Sequence, residues 1–318
     1  MVIAMKDTYI SDLMDRLDRR DWVALGKAIT IVENGYEGKE QLLNYAYQTN
    51  REQSLIIGIT GAGGAGKSTL IDSILQTYVR QGKHVGVLAV DPSSAYTGGA
   101  VLGDRIRMGK HANSENVFIR SFGSRGALGG ISQGAKDVLY LYKAFGFDVI
   151  ILESLGVGQA ETDITSFVDV TAVVLAPGNG DYIQLSKAGT QEIADIFVVN
   201  KADSVEAEAL YMQLCASFEL FPEERRPCVI KTVAREHIGV EELTELFQKA
   251  GVRLIQGRGT KKRMRIMNEI QSNALLMVSP MLKCQVERLA ERVLADELTP
   301  FEAAVQLGKR ITFTPETQ

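Results

Sequence analysis

The chain is short of the residues that staple or metallate small proteins. It has three cysteines (Cys215, Cys228, Cys284), an odd number with no paired spacing. That argues against a disulfide framework and fits a reducing compartment. Its three histidines (His84, His111, His237) lie far apart in sequence, which disfavours a histidine-based zinc site. Prolines number only seven, and the glycines have no period, so a collagen-like or low-complexity chain is excluded. Long apolar runs are missing as well. The longest, such as 149–152 and 171–177, fall far below the ~20 residues needed to span a bilayer. No basic region followed by an apolar core opens the chain, because Lys6 and Asp7 interrupt it. The expectation is a cytoplasmic protein with no membrane role. A net charge of -4 gives no general attraction to nucleic acid.

What is present is globular: 318 residues, 45% hydrophobic and 23% charged, long enough to bury a full core. Glycine is the enriched residue. Of 30 glycines, 22 lie between Gly58 and Gly189, and only Gly308 follows Gly259. Because glycine allows positive φ and close approach of backbone to ligand, this distribution predicts a loop-rich binding core followed by a helical tail.

Residues 8–52 carry apolar positions at roughly helical spacing, interrupted at Asn34-Gly35. From residue 54 the period changes. Short β-branched runs at 55–60, 84–90, 116–121, 148–154, 171–177, 195–200 and 228–232 alternate with helical stretches at 67–81, 131–146, 182–194, 204–220 and 240–250. Continuous apolar strands alternating with helices predict an α/β fold, a mainly parallel central sheet flanked by helices. After Gly259 the pattern is helical. KKRMR (261–265) opens a helix running to about Leu298, and Thr299-Pro300-Phe301-Glu302 reads as a capping box with proline at the first helical position. The expected organisation is an N-terminal helical region (1–53), a nucleotide-binding domain (54–257) and a C-terminal helical arm (258–318).

Gly61-Ala62-Gly63-Gly64-Ala65-Gly66-Lys67-Ser68 fits G-x4-G-K-[ST], between a strand and a helix that continues through Thr69. That context marks a P-loop. Backbone N–H groups would curl around phosphates, and the positive end of the helix would face the anion. Lys67 would neutralise β/γ charge and the Ser68 hydroxyl would ligate Mg²⁺. Asp91 and Glu153 each follow an apolar strand, where carboxylates of a parallel sheet face a bound ligand. Asp104 lies in a third polar loop. Hard oxygens suit Mg²⁺, so Ser68, Asp91, Asp104 and Glu153 are the candidate metal set. Glu153-Ser154-Leu155-Gly156 has the acid-x-x-Gly spacing of a γ-phosphate sensor, with Gly156 as the switch residue. Val157 stands where Ras-like enzymes place a water-orienting glutamine, which predicts slow hydrolysis accelerated by a partner.

Asn200-Lys201-Ala202-Asp203 follows another strand and has the N-K-x-D spacing of a guanine reader. Asp203 would accept from guanine N1–H and N2–H, donors that adenine lacks. Lys201 would lie over the base, and Asn200 would tie this loop to the P-loop. Thr232-Val233-Ala234 follows the last strand and offers a backbone N–H to the guanine oxygen. The residues alone therefore predict a Mg²⁺-dependent switch that binds GTP and GDP. A P-loop kinase is the competing reading, disfavoured because no acceptor-site base is identifiable.

The runs at 88–108, 118–130, 146–161, 176–189 and 194–203 resemble the MeaB/ArgK GTPases, with DPSS, GG, LGD, GVGQ and a PGxGD-type loop in order. The resemblance covers roughly residues 40–255. It implies a homodimeric chaperone of an adenosylcobalamin-dependent acyl-CoA mutase such as methylmalonyl-CoA mutase, whose GTPase the mutase stimulates, with dimerisation through the helical arm. The family's older label implies the alternative, a P-loop kinase of the ArgK transport-system type. The resemblance also implies Mg²⁺-site roles for Ser68, Asp91, Asp104 and Glu153. It gives Gly156 to the γ-phosphate switch, Gly178–Lys187 to an extra switch, and Lys187 to catalysis or switching with Lys67 and Glu153. The chain departs from the family's pattern in five places, one of them PGNGD (177–181) in place of PGGGD in the extra switch. The phosphate loop lacks a proline, RSFGSRG replaces a proline-containing loop, Val233-Ala234 replaces Ser-Ala, and His237 stands where a glycine is usual.

Overall fold

Local capping chemistry starts the chain's first well-formed helix pair. The structure, a computed structural model, describes residues 2–49, 54–91, 114–123, 133–154, 167–178, 194–219, 221–223, 226–251, 267, 274, 282–295 and 297–310. Helix α1 (Val2–Asp18) leads to α2 (Trp22–Asn34), whose N-cap Asp21 accepts from the N–H groups of Val23 and Ala24 at 2.8 and 3.2 Å. Arg16 reaches the other Asp21 oxygen at 2.7 Å, and together with the backbone donors holds that carboxyl below the usual range. Gly35, at φ 65, ends α2 in the left-handed conformation, at the interruption expected at Asn34-Gly35. Helix α3 (Lys39–Gln48) completes the N-terminal group.

The sheet then begins with β1 (Leu55–Thr60), followed by α4 (Lys67–Arg80), β2 (Val85–Asp91), β3 (Val117–Gly123), α5 (Gln133–Phe145) and β4 (Val149–Ser154). After β5 (Val170–Leu175) and β6 (Ile196–Asn200) come α6 (Val205–Phe218), β7 (Cys228–Thr232) and a helix α7 at 240–251. The seven strands lie in the order β3-β2-β4-β1-β5-β6-β7, and every pairing is parallel. The expected parallel α/β architecture is therefore present. Strands β1, β4, β5 and β6 are buried almost throughout, as both-face coverage requires.

Alternation divides the core into two faces. On one, Ile57, Ile59, Val87 and Ile151 pack with Leu70, Ile71, Ile74 and Tyr78 of α4 and with Leu243 and Phe247 of α7. On the other, Ile56, Leu88, Ile150 and Leu152 meet α5 and the N-terminal helices, while Phe197 and Val199 meet Leu214 and Phe218 of α6. Trp22, the one tryptophan, stacks on Phe118 of β3 with centroids 5.7 Å apart. Ion pairs join the N-terminal helices to the domain, among them Lys39–Asp137 at 2.7 Å and Glu33–Arg120 at 2.8 Å.

Residues Met1–Gln256 form one compact unit and Gly257–Gln318 a second. In the second, residues 282–294 are helical. The capping box forms as read: the Thr299 N–H donates to Glu302 at 2.8 Å, and the Glu302 N–H donates to Thr299 Oγ1 at 3.2 Å. The helix Pro300–Arg310 follows. The helix expected at 182–194 lies outside the described residues. Among the described residues no helix is long and apolar enough to cross a membrane.

Candidate functional site

The C-terminal ends of β1, β4 and β6 bring the predicted motifs to one edge of the sheet. The loop 61–66 leaves β1 and turns directly into α4 at Lys67. Gly61, Gly64 and Gly66 hold φ of 138, 81 and 91°, which only glycine adopts freely. Lys67 is 5% exposed, and its Nζ donates to the Gly61 and Ala62 carbonyls at 2.6 and 3.0 Å. The ammonium thus lies inside the curl of the loop, and a lysine at this place in the motif is one that neutralises β/γ-phosphate charge. Ser68 is half-buried on the first turn of α4, and Thr69 is exposed beside it.

Strand β4 is in register with β1, Glu153 opposite Ile59, and this delivers Glu153 to the first turn of α4. The Ser68 hydroxyl donates to Glu153 Oε1 at 3.2 Å. A hydroxyl and a buried carboxylate at a phosphate loop are hard oxygen donors suited to Mg²⁺, which keeps waters and takes phosphate oxygens as further ligands. Asp91 closes β2 opposite Gly123, and Val90 of the same strand lies opposite Ser154, so the Asp91 backbone reaches the same edge. Asp104, Gly156 and Lys187 lie outside the described residues.

Strand β6 leads into the N-K-x-D loop. Asn200 is 2% exposed, and its Nδ2 donates to the Ala65 carbonyl at 3.0 Å. Its Oδ1 accepts from Thr232 Oγ1 at 3.1 Å and from the Ala234 N–H at 3.2 Å. Lys201 takes a positive φ of 55° and donates to the Gly64 carbonyl at 2.8 Å. Asp203 is exposed in the turn before α6. The structure therefore gathers residues 61–69, Glu153, Asn200, Lys201, Asp203, Val233 and Ala234 into one region.

Sequence reading missed a second set of ties. Ser73 Oγ donates to the Ala234 carbonyl at 2.5 Å, and Thr77 Oγ1 and Arg80 Nη2 lie 3.2 and 2.9 Å from His237 Nε2. Partial burial, then Arg80, push the His237 pKa down, and Glu241 and Asp72 oppose this. No local signal marks them, because α4 also carries Ser68, Thr69, Asp72 and Gln76, among which the 73/77/80 line does not stand out. Arg120 of β3 is bound to Glu33 at 2.8 Å. Among the described residues no three His, Cys, Asp or Glu side chains cluster as a metal nest.

Comparisons with known proteins agree with this geometry. The family model described as methylmalonyl Co-A mutase-associated GTPase MeaB matches residues 25–287. A Pyrococcus abyssi relative is 38% identical over 95% of this chain and 97% of its own. The Mus musculus methylmalonic aciduria type A homolog is 32% identical over 95% of this chain and 79% of its own. The Escherichia coli GTPase ArgK is 36% identical over 75% of each. A crystal structure of an LAO/AO transport system kinase superposes with a TM-score of 0.70 at 26% identity, covering 96% of this chain and 98% of that one. The family match spans both the phosphate loop and the N-K-x-D loop that Asn200 joins, and the chain belongs to the MeaB family of P-loop GTPases.

Proposed function

We propose that the chain is a Mg²⁺-dependent GTP switch that chaperones an adenosylcobalamin-dependent acyl-CoA mutase, assisting its assembly, cofactor loading and protection. The observation that carries the nucleotide half is the joint made by Asn200, which fastens the guanine-reading loop to the phosphate loop at 3.0 Å. A bound guanine then sits against Asp203, whose carboxylate accepts from N1–H and N2–H. Ser68 and Glu153 would hold Mg²⁺, which supplies charge neutralisation at the β- and γ-phosphates. Asp91 and Asp104 complete the proposed metal set, and Gly156 and Lys187 the proposed switch. The mutase half rests on the family match and on the mouse relative. We assign residues 258–318 as the arm that pairs two copies, and 54–257 as the switch domain behind the helical region 1–53.

The test is steady-state GTP hydrolysis by the full chain, alone and with a methylmalonyl-CoA mutase. Slow turnover alone and at least tenfold stimulation by the mutase supports the reading. Unstimulated turnover, with no co-elution of the two proteins, overturns the mutase half. The superposed LAO/AO transport system kinase favours a second reading, a P-loop kinase, and γ-labelled nucleotide separates them. Label recovered as free phosphate supports hydrolysis; label transferred to an acceptor protein supports the kinase.

A further inference from the structure

Helix α4 carries three polar side chains on one line. Ser73, Thr77 and Arg80 stand at i, i+4 and i+7, so they share a face. Ser73 and Thr77 are 5% and 3% exposed, on a helix whose other buried positions after Lys67 are Leu70, Ile71, Ile74, Leu75 and Tyr78. A buried hydroxyl needs a partner, and these two find theirs largely in the segment after β7. Ser73 donates to the Ala234 carbonyl at 2.5 Å, Thr77 Oγ1 lies 3.2 Å from His237 Nε2, and Arg80 donates to the same nitrogen at 2.9 Å. Arg80 also lies 3.6 Å from Glu241 of α7.

The segment they grip is short and bent. Ala234–Glu236 makes one 3₁₀ turn, and His237 closes it at φ 65°. A residue with a Cβ pays a steric penalty there that glycine does not, so the imidazole must return something for its place. What it returns is the end of the stripe. Val233 and Ile238 then bridge across the turn, with N–H···O distances of 3.1 and 3.3 Å. Ala234 is thereby held twice, its carbonyl by α4 and its N–H by Asn200.

Helix α4 starts at Lys67, at the phosphate end of the site, and its stripe ends on the loop at the base end. We infer that the Ser73–Thr77–Arg80 stripe and His237 are a positioning device for guanine recognition. They fix the 232–237 loop to the phosphate-loop helix and so hold that loop in place against the oxygen edge of the guanine. His237 is a positioning residue that acts through the loop and does not itself touch nucleotide. The inference rests on the GTP reading above.

The experiment compares wild type, His237→Gly and Ser73→Ala of the full chain by equilibrium titration with GTP, GDP and 6-thio-GTP. The last keeps the N1–H and N2–H donors but replaces the guanine oxygen by a weaker acceptor. Glycine accepts the positive φ, so His237→Gly removes the imidazole without backbone strain. About tenfold weaker binding of both GTP and GDP is expected. The preference for GTP over 6-thio-GTP should shrink several-fold, because the oxygen contact is what loosens. Ser73→Ala should shift the same ratio in the same direction, and it keeps the test open should the first variant fold poorly. Unchanged affinity and an unchanged ratio in folded variants overturn the inference and leave the GTPase reading intact. Failure of the wild type to bind GTP or GDP overturns that reading itself.

Discussion

Asn200 joins three segments with one side chain. Its Nδ2 donates to Ala65 of the phosphate loop at 3.0 Å, and its Oδ1 accepts hydrogen bonds from Thr232 Oγ1 and the Ala234 N–H at 3.1 and 3.2 Å. The amide is buried, so its loss strands a carbonyl, a hydroxyl and an N–H together. Each stranded group costs about 1–3 kcal/mol. Asn200→Ala should therefore lower the thermal midpoint and weaken GTP and GDP alike, by roughly 10- to 100-fold at 1.4 kcal/mol per decade. Melting curves with and without nucleotide check this. A variant that melts earlier yet binds both nucleotides normally would show that the joint serves the fold alone.

The glycines of the phosphate loop are not equivalent. Gly61 has φ 138°, and a Cβ there would be driven into the Val174 carbonyl of β5, a backbone atom in the middle of the sheet. Gly63 has open space around it. Gly61→Ala should abolish detectable nucleotide binding and destabilise the chain, whereas Gly63→Ala should keep affinity within about threefold, since surface substitutions away from special geometry stay within ~0.5 kcal/mol. Parallel titrations of the two variants decide it. Equal effects would mean that loop flexibility, and not the Gly61 contact, governs binding.

These contrasts show which parts of the site were legible in the chain. The spacing from Gly61 to Ser68 and from Asn200 to Asp203 encodes local geometry, a turn after a strand, so it can be read in one dimension. The same holds for the capping box at Thr299 and the left-handed stop at Gly35. Strand order is different. That β4 lies between β1 and β2 depends on which faces bury best together, and nothing local to Val149–Ser154 states it. The stripe on α4 was hidden for a related reason. Ser73 and Thr77 are unremarkable helix residues until residues 234 and 237, about 160 positions later, arrive opposite them.

Thr60 and Ser154 end neighbouring strands on the sheet face away from α4. Thr60 is fully buried and Ser154 is 4% exposed, yet neither hydroxyl has a hydrogen-bond partner among the described residues. A valine has the shape of threonine without the hydroxyl to be satisfied. Replacing an unsatisfied buried hydroxyl removes a cost of about 1–3 kcal/mol. Thr60→Val should accordingly raise the thermal midpoint of the nucleotide-free chain, by a few degrees for a chain of this size. Differential scanning calorimetry measures it. A fall in the midpoint would mean that the Thr60 hydroxyl has a bonded role in solution.

His237 is expected to make the 232–237 loop sensitive to acid. Its Nε2 accepts from Arg80 at 2.9 Å, which requires the neutral ring. Burial and the Arg80 charge lower its pKa from 6.5, against the opposing fields of Glu241 on α7 and Asp72 on α4. In the unfolded chain the ring titrates near its ordinary value of about 6.5. Above that pH both states are neutral, and the contribution of the tie is fully present. As pH falls below it, the unfolded chain takes up a proton that the folded ring resists, so stability declines until the lowered folded value is passed. Guanine nucleotide affinity should fall over the same interval, as protonation turns the acceptor into a donor facing Arg80. Titrations of GTP between pH 7.5 and roughly 5 should show a steeper loss for wild type than for His237→Gly, which has no imidazole to protonate. Parallel curves for the two proteins would assign the acid sensitivity to other groups and remove His237 from it.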